Sequence, residues 1–205
     1  MKNHKLFIII VLIIPIFTVP GCKARNEAKK EVLTQPAPQS ERMPDSAPKI
    51  SIHEAALNGK AAEVTRNLAE GVNVNTQDQD GRTALMYAAF NGNTEIMEKL
   101  IQNGASVNLC DSYGRTALMF ASSGPYPAAV KLLLTNNADP NMADKEEHFT
   151  ALMYAAAEGQ LEIIKLLITY KADPTLKDID GDNAMTFAQN NGHKDVVGIL
   201  QPFFK

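Results

Sequence analysis

Apolar residues in the body of this chain fall into two kinds of short run. Thr83-Ala84-Leu85-Met86-Tyr87-Ala88-Ala89-Phe90-Asn91-Gly92 is one kind, with Thr83 placed to cap a helix and Gly92 placed to end it. The other spans Thr94 to Gln102, where Ile96, Leu100 and Ile101, with Met97 alongside, share one face and leave Glu95, Glu98 and Lys99 to solvent. Asn103-Gly104 stops this second helix, and Ala105-Ser106-Val107-Asn108 leads into Asp111-Ser112-Tyr113-Gly114, a turn-rich hairpin that carries the chain to the next unit. The whole pattern then recurs. Thr116-Ala117-Leu118-Met119-Phe120-Ala121 follows the first copy by 33 residues, and Thr150-Ala151-Leu152-Met153-Tyr154-Ala155-Ala156 follows after 34 more. Such a period marks a stack of small helical units, none of which can bury its apolar stripe alone.

These repeats resemble the ankyrin-repeat family, whose unit of about 33 residues carries a T-P-L-H-x-A signature in its first helix. Here Thr-Ala-Leu-Met stands in its place at 83, 116 and 150, with Ala for Pro and Met for His. Gly159-Gln160-Leu161-Glu162-Ile163-Ile164-Lys165-Leu166-Leu167 matches the family's second helix, and Gly104-Ala105-Ser106-Val107-Asn108 and Ala138-Asp139-Pro140-Asn141 match its return segment. The resemblance implies an all-α solenoid of about five helix-turn-helix units with short β-hairpin loops over residues 50–205. First helices are expected near Ile50, Thr83, Thr116, Thr150 and Asn183. The first unit opens with Ile52-His53-Glu54-Ala55-Ala56 and has no preceding hairpin, while the last carries Gln189, Asn190, Asn191 and Lys194 around its turn and ends at Phe203-Phe204-Lys205. Both ends read as caps. Leu133 and Leu166 are expected to be buried in their second helices.

The N-terminal segment differs in kind. Lys2 and Lys5 precede an apolar run from Leu6 to Val19, broken only by Pro15 and Thr18, which is short for a membrane-spanning helix. Residues 1–21 therefore read as an export signal. Val19-Pro20-Gly21-Cys22 resembles the lipobox of bacterial lipoproteins, which implies cleavage before Cys22 and lipidation of that residue; Pro20 departs from the usual small or aliphatic residue. An uncleaved signal anchor and an ordinary signal peptide are the alternative readings of the same run. Residues 22–49 follow as an expected disordered tether, with Lys23, Arg25, Lys29 and Lys30 followed by Pro-spaced polar sequence that cannot bury enough apolar area to offset chain entropy. Fully extended, the 27 residues from 23 to 49 reach on the order of 80 Å. The resemblance places the chain in the bacterial cell envelope. Lys23 after the lipidated cysteine favours a periplasm-facing outer membrane.

Charge narrows the choice of partner. The whole chain has a net charge of −3, and residues 50–205 hold 12 Lys and Arg against 19 Asp and Glu, a net −7. So acidic a body lacks the cationic surface that phosphate backbones require, and nucleic acid is not an expected partner. The histidines of the body, His53, His148 and His193, lie in different units, without His-x3-His or Cys-x2-Cys spacing, so neither metal nor cofactor is expected. No Gly-x-Ser-x-Gly or phosphate-cradling loop suggests catalysis or a small-molecule substrate. His53 and His193 occupy positions where the family carries structural histidines. Asp78, Asp111, Asp144 and Asp178 recur with the repeat and read as hairpin-turn residues. Cys110 reads as a quiet, semi-buried thiol, or else as one free to form a mixed disulfide with a partner.

What the resemblance implies is protein binding, through a concave surface of hairpin tips and first helices whose variable positions set specificity. Those positions are Gln79, Asp80, Arg82, Phe90 and Asn91 in the second unit, and Ser112, Tyr113, Arg115 and Ser123 in the third. The fourth unit supplies Lys145, Glu146, His148, Phe149, Ala157 and Glu158. Phe90, Tyr113 and Phe149 are the expected exposed hot spots, because large aromatics dominate such interfaces. Two departures set the middle units apart. Gly124-Pro125-Tyr126-Pro127 brings prolines into the passage between helices, where they should rigidify and reshape the turn. The hairpin Asp144-Lys145-Glu146-Glu147-His148-Phe149 holds one extra residue and lacks the glycine found at Gly81, Gly114 and Gly181. This reads either as drift in a loop or as a finger shaped for one partner.

Overall fold

Five helix pairs follow one another in the computed structural model, which describes residues 50–204. The expected signal, Cys22, the tether and Lys205 lie outside the described residues. The pairs are α1 (Ile52–Leu57) with α2 (Ala61–Ala69), α3 (Ala84–Phe90) with α4 (Thr94–Gln102), and α5 (Ala117–Ser122) with α6 (Pro127–Thr135). Then come α7 (Ala151–Ala157) with α8 (Leu161–Thr169), and α9 (Ala184–Asn190) with α10 (Lys194–Leu200), closed by a 3-10 turn over Gln201–Phe204. First helices stack on first helices and second on second, which is the expected all-α array.

Short polar side chains start the first helices. Thr83, Thr116 and Thr150 accept from the backbone N–H groups of Met86, Met119 and Met153, satisfying donors that a helix end leaves open. In two units the box closes through sulfur: the N–H groups of Thr83 and Thr116 donate to Met86 Sδ at 3.4 Å and Met119 Sδ at 3.5 Å. The fifth unit closes the same box through oxygens, with Asn183 and Thr186. In the first unit Ile50 stands where Thr83 does, and the cap passes one residue on to Ser51.

Packing follows from residue size. Ala55, Ala56, Ala88, Ala89, Ala121, Ala155, Ala156 and Ala188 are fully buried, and their small side chains let successive first helices approach closely. Leu85, Leu118 and Leu152 fill the space behind them, against Ile96, Leu100, Leu133, Ile163, Ile164 and Leu167 of the second helices. Leu166 corrects an expectation. It is only partly buried, because Leu167 holds the position equivalent to Leu133 and Leu166 falls one step around the helix.

Polar side chains tie unit to unit as well. Asn75, Asn108 and Asn141 each use both ends of the amide on the next unit: Oδ1 accepts from the N–H of Ser106, Asp139 and Asp173, and Nδ2 donates to the carbonyls of Gly104, Asn137 and Lys171. Asn91 donates to the Leu57 carbonyl at 2.7 Å and Asn191 to that of Ala157 at 2.8 Å. His53 and His193 are structural as expected, each with Nε2 at a backbone carbonyl, Thr76 at 2.8 Å and Ala157 at 3.0 Å.

The prolines of the third unit change less than their number suggests. Pro127 sits at the first position of α6, where a missing N–H costs nothing, and α6 keeps the nine residues of α4 and α8. The effect is confined to α5, which ends one residue earlier than α3 and α7. Tyr126 lies directly on Gly92 of the preceding unit. A Cβ there would come within 2.3 Å of the ring, and Gly92 has φ +65°, so two independent constraints exclude a side chain.

Leu133→Ala, in a fully enclosed site, should cost about 2–5 kcal/mol, and Leu166→Ala distinctly less. Urea unfolding of the two variants followed by circular dichroism checks the order.

Candidate protein-binding surface

A single aspartate organises each hairpin finger. Asp78 Oδ1 accepts from the N–H groups of Asp80 and Arg82, Asp111 Oδ1 from Tyr113 and Arg115, and Asp178 Oδ1 from Asp180 and Asp182. In the longer fourth finger Asp144 Oδ1 reaches the N–H of Glu147. These are the turn residues that the recurrence of Asp implies. Successive fingers are joined tip to tip, as the N–H groups of Ser112, Lys145 and Ile179 donate to the carbonyls of Asp80, Tyr113 and Glu147. The extra residue of the fourth finger moves the acceptor from the second position after Asp to the third, and the ladder is kept. His148 makes room for it by adopting φ +58°, in the place where the other fingers have glycine.

The second carboxylate oxygen faces the first helices, and there the units differ. Tyr87 donates to Asp78 Oδ2 at 2.6 Å and Tyr154 to Asp144 Oδ2 at 3.0 Å. The third unit has Phe120 at that position, which cannot donate, and Arg115 replaces it: Nε and Nη2 sit 2.9 and 2.8 Å from Asp111 Oδ2. Burial and the Asp144 carboxylate hold the Tyr154 hydroxyl well above the usual tyrosine range. Burial, followed by the Asp78 carboxylate, raises Tyr87 in the same sense. At Asp78 burial works against ionisation, yet the hydrogen bonds from Tyr87 and from the N–H groups of Arg82 and Asp80 prevail and keep its pKa below the ordinary value.

An aromatic column therefore runs down the face shared by fingers and first helices, through Tyr87, Phe120, Tyr154 and Phe187, all half-buried. Phe120 has an aromatic ring and two guanidinium groups around it. The ring of Phe90 meets it edge-on at 6.3 Å between centroids, and the guanidinium groups of Arg115 and Arg82 stand 5.0 and 6.0 Å from its centroid. Arg115 also covers Tyr113 at 4.8 Å, and Arg82 stands 6.0 Å from Tyr87.

The expected site residues divide accordingly. Phe90 and Tyr113 are exposed, at 48% and 39%, as are Gln79, Asp80, Ser112, Lys145, Glu146, His148 and Glu158. Phe149 overturns the third aromatic expectation: it is 7% exposed, packed edge-on against Phe187 at 5.0 Å and Tyr154 at 5.7 Å. The reason is register. Phe149 occupies the position of Arg82 and Arg115, which lies over the aromatic column, and an apolar ring there fills the space between two units. Arg82 and Arg115 are half-buried, Asn91 serves the stacking just described, Ser123 donates to the Phe120 carbonyl at 2.9 Å, and Ala157 is half-buried. Reading the sequence as framework plus variable positions passed over Tyr87, Phe120, Tyr154 and Phe187. The signal for them is the one framework position that alternates Tyr and Phe from unit to unit. Cys110 is half-buried, in a backbone bridge to Thr116.

The depressed Asp78 value means that its bonded carboxylate stabilises the fold above its ordinary pKa of 3.8, and that this contribution is lost as pH falls through the lower folded value. Tyr87→Phe should cost about 1 kcal/mol at pH 7 and differ less from the parent at pH 3, as denaturant melts at the two pH values will show.

Among known families, the model described as ankyrin repeats (3 copies) matches residues 52–144 and 123–202, which together run without a break from 52 to 202. No curated protein matches the chain.

Proposed function

The chain belongs to the ankyrin-repeat family, and from that premise we propose that it acts by binding another protein through the finger and first-helix face, without catalysis. Ankyrin repeats are typically non-catalytic modules that bind proteins. The observation that carries the reading is the pair Phe90 and Tyr113, two aromatic rings left partly open to solvent while their supports, Phe120 and Arg115, are held in place. Uncovered aromatics on a rigid framework lose little side-chain freedom when a partner covers them, which is why such residues dominate binding energy.

In this proposal Cys22 carries a lipid, residues 22–49 are a tether, and the domain works at the bacterial cell envelope, facing the periplasm from the outer membrane. The support is the signal-like run followed by Val19-Pro20-Gly21-Cys22. The partner is either an effector that the chain inhibits, as an immunity protein does, or an exported enzyme that it stabilises. A structural spacer for the envelope is the alternative, and it requires no saturable partner.

Affinity purification from envelope extracts should recover a defined protein with the parent chain and about tenfold less with Phe90→Ala/Tyr113→Ala. Equal recovery by both removes the proposed face, and no saturable partner favours the spacer. Metabolic labelling with palmitate should mark the parent chain and leave Cys22→Ser unlabelled, because the substitution removes the thiol that would take the lipid.

A further inference from the structure

Arg82 and Arg115 hold the same position in consecutive fingers, yet only Arg115 has a carboxylate at hydrogen-bond distance, while Arg82 has the Tyr87 hydroxyl beside it. Arg115 places two N–H groups on Asp111 Oδ2 at 2.8 and 2.9 Å. Arg82 is second in line at that same oxygen, its Nε 3.8 Å away, and Nη1 lies 3.6 Å from Asp80 Oδ2. Both separations exceed an ordinary charge-assisted hydrogen bond. Arg82 Nε is buried without an acceptor. Asp111 cannot turn to serve it, because its side chain is wholly buried and its other oxygen already accepts two backbone N–H groups. Asp80 points outward, with its side chain 53% exposed.

The Arg82 side chain itself remains 20% exposed, over the rings of Tyr87 and Phe120. Phe90 rests on that same Phe120 ring and is the most exposed aromatic of this face. A cation whose two carboxylate neighbours stand beyond hydrogen-bond reach and a half-exposed ring thus share one support. Two fingers on stands exposed Lys145, whose N–H is bonded to the Tyr113 carbonyl of the finger between.

We propose that the protein bound at this face presents a carboxylate side chain to Arg82, with an adjacent apolar side chain laid against Phe90. The inference rests on the protein-binding reading above and specifies its chemistry. Since residues 50–205 carry a net −7, a broadly acidic partner is repelled by the body as a whole, and a single carboxylate set in an apolar surround is what this spot selects. Arg82 provides the polar half of the match and Phe90 the apolar half.

The test pans the full chain, in detergent micelles, against a library of random twelve-residue peptides acetylated and amidated at their ends. Enriched peptides should hold Asp or Glu beside an aromatic or aliphatic residue. Changing that acid to its amide should weaken binding about tenfold or more to the parent, but leave binding to Arg82→Gln unaffected. A purely structural role for Arg82 would not produce that coupling. A second measurement needs no protein variant: parent affinity for the acidic peptide should fall between 50 and 500 mM NaCl, and affinity for its amide form should hold. Enriched peptides without an acid, an equal amide penalty on both proteins, or no enrichment over the bare support overturns the inference. If acid-free peptides are enriched and Phe90→Ala/Tyr113→Ala loses them, the binding face stands and only its carboxylate chemistry is wrong. If that double variant retains every enriched peptide, the face itself is wrong.

Discussion

Each helix pair of this chain has apolar surface on two sides, and only another pair can cover it. Nearly everything else follows from that constraint. The first helices carry alanines because two of them must lie close together, and the second helices carry leucine and isoleucine because the space behind is wider. The asparagines at 75, 108 and 141 use both ends of their amides across a unit boundary, which requires every unit to repeat the same rise and rotation. A framework bound in this way tolerates change only where the change does not alter the stacking.

The fourth finger shows how strictly that holds. Its extra residue could have displaced the next unit, yet the tip-to-tip bond from Ile179 survives by moving its acceptor to Glu147. The cost is taken locally, by His148 in a left-handed conformation that side chains disfavour. The prolines of the third unit are absorbed in a similar way: one falls at a helix start, and Tyr126 settles onto a glycine that leaves it room. In both places the backbone was adjusted and the stack was not.

On the face that stacking leaves open, the units answer one requirement with different residues. Each finger aspartate between Asp78 and Asp144 needs a donor from the side of the first helix, and Tyr87, Arg115 and Tyr154 supply it in turn. Where Phe120 replaces tyrosine, the arginine two residues beyond Tyr113 is drawn inward to serve Asp111, and Arg82 is left without a close carboxylate. The surface chemistry of this region therefore arises from a substitution inside the framework. An arginine count for each finger would miss it, since both fingers have one.

The sequence alone determined the helical array. Its period, the Thr-Ala-Leu-Met starts, the Asn-Gly and Gly stops and the apolar stripes are local signals repeated often enough to agree, and α3 and α4 fall on the residues those signals mark. The turn role of the aspartates was legible for the same reason, as it depends on bonds within a few residues. Exposure at the variable positions was not. Phe90 and Phe149 look alike as aromatic departures from the repeat, but one lies at the end of a helix with a single ring, Phe120, against it and the other lies between two rings of adjacent units, Tyr154 and Phe187. Whether Arg82 or Arg115 holds Asp111 was equally beyond a linear reading, because it turns on distances between residues 29 positions apart in the chain. Periodicity fixes what each unit must be; only the packing of unit against unit decides which side chains are left facing outward.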